Sequence, residues 1–143
     1  MYSSHHIHET ILRDAVRTES YERAIMSNPA LFKNATVLNV GCGTGVLLIF
    51  TARCGAKKNH CGRYSNVVEE CKSISRLNGY GEVIHCVRGE LEDLIEAKTL
   101  PLEDGETVNV VISEWMGYAL LFETMLPSVM IARYTSMMPP PNK

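Results

Sequence analysis

The spacing of apolar residues along the chain changes period several times, and each change marks an element. Residues 8–16, HETILRDAV, place His8, Ile11, Leu12 and Ala15 on one helical face. Arg17-Thr18 interrupts that face. Thr18 is predicted to cap a second helix, with Glu19 and Glu22 in its first turn and Tyr21, Ala24 and Ile25 as its apolar side; Asn28-Pro29 ends it. TVLNV, 36–40, is a short buried strand, and VLLIFTARCG is an apolar helix closing on Gly55. A helix is predicted over 66–78, strands over 82–87 and 107–112, and a helix from 119 to about 134. In that last helix Leu120, Phe122, Met125, Leu126, Val129 and Met130 are expected to be mostly buried. Strand–helix alternation of this kind predicts an α/β fold, a parallel-rich sheet with helices on both faces. It also requires a strand over 58–63. The residues there, KNHCGR, are polar and contain glycine, so topology alone supports that strand.

Composition narrows the function. The chain's 143 residues suit one domain with a single sizeable core. The net charge is −2 and the basic residues do not cluster beyond Lys57-Lys58. That excludes a basic field drawing the chain onto nucleic acid or membrane. No apolar stretch reaches spanning length and no signal-peptide core opens the chain. Five cysteines without CxxC spacing point to a reducing, intracellular compartment, with the thiols as small core residues. Cys42 is the one most open to alkylation. His5, His6 and His8 read as a polar chain end, and no metal site is expected.

The main chemical signal is GCGTG, Gly41 to Gly45, between a strand and a helix. Glycines there permit a tight turn and let a ligand approach the main chain. A turn without a ligand is the plainer alternative. Dinucleotide folds prefer GxGxxG; GxGxG is the spacing of nucleoside-sulfonium sites. Both classes expect an acid closing the second strand to hold ribose hydroxyls, and that position is Arg63. An arginine there suits the 2′-phosphate of NADP, which keeps an oxidoreductase as a rival.

A second signal is SEWMGYALLFETM, 113–125, with Glu114 at the carboxyl end of a strand and Glu123 nine residues on. Two carboxylates in one pocket share a proton or bind a cation. A planar guanidinium suits them because its donor fork matches carboxylate oxygens. The alternative is a loop-capping Glu114 and a solvated Glu123.

SEWMGYALLFETML resembles the double-glutamate loop of the protein arginine methyltransferases. IHETILRDAVRTESY (7–21) resembles that family's cofactor-covering helices, VLNVGCGTGVL its cofactor loop, and RGELEDL (88–94) the segment along the adenine. RLNG and LLFE lean toward the type I, cytosolic zinc-finger-bearing member, though no zinc finger is present. The resemblance implies a Rossmann-like S-adenosylmethionine-dependent methyltransferase fold. Its parts are cofactor-covering helices over 1–34, the S-adenosylmethionine-binding domain over 35–138 and a Pro-rich tail over 139–143. It implies methyl transfer from S-adenosylmethionine to arginine in protein substrates, histones or RNA-binding proteins among them, in the cytoplasm or nucleus.

By that resemblance Glu114 and Glu123 clamp the substrate and Met125 packs near the reacting centre. Arg17 pairs with the cofactor carboxylate. Gly41, Cys42, Gly43 and Gly45 form the cofactor loop, and Leu91 and Glu92 lie by the adenine. His8 matches a further cofactor-side position, where a structural histidine is the alternative. Two residues depart from the family: Arg63 stands for the ribose-binding acid, and Asn39 for the acid before the glycine loop. The family continues into a β-barrel that is absent before Lys143, so the fold is expected to be incomplete, with an exposed apolar surface prone to association. Activity of the chain alone stays open, and a non-catalytic interaction module is the alternative.

Overall fold

The computed structural model describes residues 9, 13–41, 45–63, 67–97, 102, 106–114 and 126–136; within them the side chains of Arg63, Val67, Leu91, Glu92, Tyr134 and Ser136 are not described. Helix α1, Ala15–Met26, begins where Asp14 accepts a hydrogen bond from the Arg17 amide at 3.1 Å. The cap is therefore Asp14, not Thr18, which lies inside the helix. Asp serves as well as Thr at this position because its side-chain oxygen satisfies an otherwise orphaned first-turn amide. Ile25 is buried and Tyr21 half-buried, as the apolar face requires, but Ala24 is exposed. A short α2, Pro29–Phe32, buries Phe32 and leads to β1, Thr36–Val40, all five residues of which are buried.

Then follow α3, Val46–Arg53; β2, Lys58–Arg63; α4, Val67–Leu77; β3, Ile84–Arg88; α5, Leu91–Glu96; β4, Val110–Ile112; and α6, Leu126–Ser136. The strands form a parallel sheet in the order β3-β2-β1-β4. Val37 packs against Leu47 and Phe50 of α3 with Ile25 and Phe32, while Cys61, Ile84 and Cys86 pack against Leu48, Val68 and Cys71. On the opposite side Leu38 and Val40 meet Leu94 of α5 and Ala132 of α6. Helices thus cover both faces, the doubly wound arrangement that alternation predicts. Among the described residues, no helix is long and apolar enough to cross a membrane.

The strand over 58–63 exists, between β1 and β3. Its polar residues are fully buried: Asn59 and His60 are each 0% exposed. Asn59 Oδ1 accepts from Thr51 Oγ1 at 2.6 Å. Asn59 Nδ2 and both ring nitrogens of His60 have no hydrogen-bond partner among the described residues. His60 stacks on His85, its neighbour in register on β3, with ring centroids 5.3 Å apart. The last strand is shorter than the pattern suggests. Asn109 instead bonds Thr36 twice, its amide donating to the Thr36 carbonyl and its side-chain oxygen accepting from the Thr36 amide, each at 2.8 Å. In α6, Met130 is exposed rather than buried; Leu120, Phe122 and Met125 lie outside the described residues.

Burial first, then the adjoining His85, lowers the pKa of His60 from 6.5 to about 4. The unfolded chain takes up this proton near its ordinary pKa, the folded chain only near 4. Stability is therefore full above about pH 6.5 and declines as pH falls toward 4, by roughly 3 kcal/mol over the whole window. Urea unfolding between about pH 7 and about pH 4.5 should show this slope, and His60→Leu should flatten it while raising stability at neutral pH. Equal slopes in the two proteins would overturn the assignment.

Candidate active site

The carboxyl ends of β1, β2 and β4 lie at one edge of the sheet because all pairings are parallel. At the end of β1 the chain leaves through Gly41, with φ 75°, and re-enters a helix at Gly45, with φ 88°. Both are left-handed conformations that side-chain-bearing residues rarely adopt. Gly45 is also sterically closed: a Cβ there would lie 2.5 Å from Cys71 Sγ. Just before the turn, Asn39 is 1% exposed, and its side-chain oxygen and nitrogen have no hydrogen-bond partner among the described residues.

Glu114 sits two residues past β4. Ser113 fixes it there, its hydroxyl donating to the Val40 carbonyl at 2.9 Å and tying the end of β4 to the end of β1. Arg17, Tyr21 and Ile25 form one face of α1 at i, i+4 and i+8. Ile25 anchors that face in the core, and Arg17 reaches Glu114, its Nη2 donating to Oε2. The Glu114 side chain is 17% exposed. Burial raises the Glu114 pKa above the usual carboxylate range, against the opposing pull of the Arg17 charge and hydrogen bond. Tyr21 lies in the same field: burial, then Glu114, raises its pKa, and Arg17 lowers it.

The structure thus gathers Arg17, Asn39, Gly41, Gly45 and Glu114 at one edge. It brings Arg17 onto Glu114, whereas the resemblance implies a cofactor carboxylate as its partner. Arg63 ends β2 in register with Arg88 of β3, so two cationic residue types adjoin where an acid is expected. Leu91 and Glu92 open α5, after β3. His8, Cys42, Gly43, Glu123 and Met125 lie outside the described residues. Sequence reasoning did not single out Ser113, or Tyr21 as part of a site. Both lie at the ends of motifs quoted for other residues; the hydrogen bond to Val40 reveals Ser113, and the position of Tyr21 one turn after Arg17 on α1 reveals Tyr21.

Over 132 residues, 92% of its length, the chain is 46% identical to Protein arginine N-methyltransferase 1 of Saccharomyces cerevisiae, and equally so to that of Oryza sativa subsp. indica. The chain is a relative of the protein arginine N-methyltransferases. Among solved structures, the Trypanosoma brucei PRMT1 enzyme–prozyme heterotetrameric complex with AdoHcy is 40% identical, with a TM-score of 0.84, over 96% of this chain and 41% of that one. Protein Arginine Methyltransferase 10 of Arabidopsis thaliana is 33% identical, with a TM-score of 0.85, over 96% of this chain and 37% of that one. The fold is the Rossmann-like one of S-adenosylmethionine-dependent methyltransferases. No family model matches the chain. The chain spans about a third of the length of the curated relatives it matches.

Because burial outweighs Arg17 in setting the Glu114 pKa, the ionised carboxylate costs stability where it stands. A raised carboxyl pKa means the folded state holds its proton longer than the unfolded one. Stability is therefore higher below the ordinary carboxylate range and is lost as pH rises through the raised value. Glu114→Gln should remove that loss and leave neutral-pH stability unchanged or slightly higher, read from thermal melts. A marked drop would make Glu114 a scaffold residue.

Proposed function

We propose that the chain is the cofactor-binding part of an arginine methyltransferase, acting in the cytoplasm or nucleus on arginine side chains of proteins. The observation that carries this reading is Glu114 receiving a guanidinium, that of Arg17, beside the glycine turn. A half-buried carboxylate at that edge accepts the group an arginine substrate would present.

The residues fit a sulfonium nucleoside at one end. Left-handed Gly41 and Gly45 put no side chain at either end of the glycine motif, and the buried side-chain amide of Asn39, two residues before it, has no partner among the described residues. The second-strand position fits less well, since Arg63 offers no acceptor for ribose hydroxyls. The bound form of the trypanosome relative, with AdoHcy, supports this choice of cofactor. When bound, S-adenosylmethionine supplies a methyl group on a sulfonium that leaves without acid catalysis. Glu114, with Glu123 by resemblance, draws the guanidinium charge toward the nitrogens it binds and leaves density on the attacking one. Fixing that nitrogen contributes up to ~7–11 kcal/mol through proximity. With the cofactor bound, its carboxylate would offer Arg17 a second partner, which would leave Glu114 for the substrate. Tyr21, half-buried, lies in the field of both the Arg17 and Glu114 charges.

Calorimetric titration with S-adenosylhomocysteine and with NADP tests the reading. The homocysteine nucleoside should bind and NADP should not; the reverse result would favour the oxidoreductase that Arg63 suggests. Arg63→Glu should tighten nucleoside binding by about tenfold or more, the worth of a charge-assisted hydrogen bond. Glu114→Gln and Glu123→Gln should each abolish any methylation of an arginine peptide by the protein.

A further inference from the structure

Three cysteine sulfurs meet in the layer between α4 and the sheet. Cys61 on β2 and Cys86 on β3 are paired in register, so they share a sheet face. Cys71 of α4 packs onto them. The three sulfurs lie within 4.8 Å of one another, with Cys71 Sγ 2.6 Å from Cys86 Sγ. The residues are 0%, 0% and 7% exposed in chain order, among Leu48, Ala52, Val68 and Ile84.

An ion held by three sulfurs at about 2.3 Å needs sulfur–sulfur edges of about 4 Å. All three separations lie below 4.8 Å, and the Cys71–Cys86 pair, at 2.6 Å, must open by more than an ångström to admit the ion. Thiolates select soft ions, univalent copper and zinc foremost. Structural zinc takes four protein ligands. Among the described residues the group holds three and no fourth His, Asp or Glu joins it. His60 and His85 precede Cys61 and Cys86 in their strands and so face the other side of the sheet. Cys86 lines an open cavity of about 460 Å³ with Glu69, Lys72, Arg76 and His85. Lys72 and Arg76 bring positive charge to offset that of the thiolates.

We infer that Cys61, Cys71 and Cys86 form a three-thiolate site for univalent copper, independent of the methyltransferase reading. On binding, three S–H bonds break, three S–Cu bonds form, and three protons pass to solvent. Copper keeps its oxidation state, so no oxidant or reductant takes part. Because binding releases these protons, affinity rises with pH.

The test is anaerobic titration of the reduced 143-residue chain with univalent copper against the chromogenic chelator bicinchoninate. One equivalent should be withheld from the chelator, more firmly as pH rises. Cys61→Ala and Cys86→Ala should lose that equivalent, and Cys54→Ser, outside the cluster, should keep it. X-ray absorption on the unaltered chain needs no variant and should show three sulfur neighbours at about 2.3 Å. Complete surrender of copper to the chelator, a nitrogen or oxygen neighbour in the absorption spectrum, equal loss in Cys54→Ser, or displacement of the copper by stoichiometric zinc would each overturn the assignment.

Discussion

Parallel pairing of β1 on both sides is the constraint on which the rest depends. Its residues pair with Lys58–Gly62 on one flank and Val110–Ile112 on the other, all in the same direction. Three carboxyl ends therefore reach one edge, and residues distant in sequence become neighbours there. Gly41 continues β1, Arg63 ends β2 and Glu114 follows β4. The Ser113 hydroxyl on the Val40 carbonyl keeps two of those ends together past the last ladder bond. Helix α1 then closes the edge from above. It is held by Ile25 in the core, so the reach of Arg17 to Glu114 is set by apolar packing two helical turns away.

The same pairing forces a cost on β2. A strand between two others must place its side chains on both covered faces, whatever those side chains are. Asn59 and His60 are buried for that reason, and of their side-chain polar atoms only Asn59 Oδ1 has a hydrogen bond among the described residues, from Thr51. Each polar group left unpaired in such a place costs about 1–3 kcal/mol. The backbone of β2 compensates, since its amides and carbonyls are paired on both sides. Strand propensity, which disfavours KNHCGR, is a weaker term than a doubly paired backbone.

That contest explains what could be read in advance. TVLNV and the helices after the glycine turn and over 67–77 are legible because their apolar period and burial agree. β2 is legible from topology alone. The start of α1 is misread because Asp14 and Thr18 are both good caps, and choosing between them depends on where the helix meets the core. Asn109 looks like strand but spends its hydrogen bonds on Thr36. In the site, Gly41 and Glu114 are legible because each follows a recognisable strand, and Gly45 because it opens the apolar helix after the glycine motif. Ser113 and the meeting of Cys61, Cys71 and Cys86 depend on register between strands and on the facing of one helix, which spacing along a single chain does not encode.

Gly45 links the two constellations. It opens α3 in a left-handed conformation on the cofactor side, and on the other side its missing side chain leaves room for the Cys71 sulfur. A sulfur that close to a backbone position acts as a stop: the turn cannot close toward α4 without displacing it. Cys71 has its own neighbours in Cys61 and Cys86, so whatever draws those three sulfurs to a common centre also shifts the stop. The backbone that would cradle a nucleoside and the sulfurs that would hold a soft ion are separated by one van der Waals contact. In a close-packed interior, where a displacement of half an ångström forfeits a quarter or more of such a contact, that contact holds Gly45 and Cys71 at a fixed spacing, and any side chain at position 45 would break it.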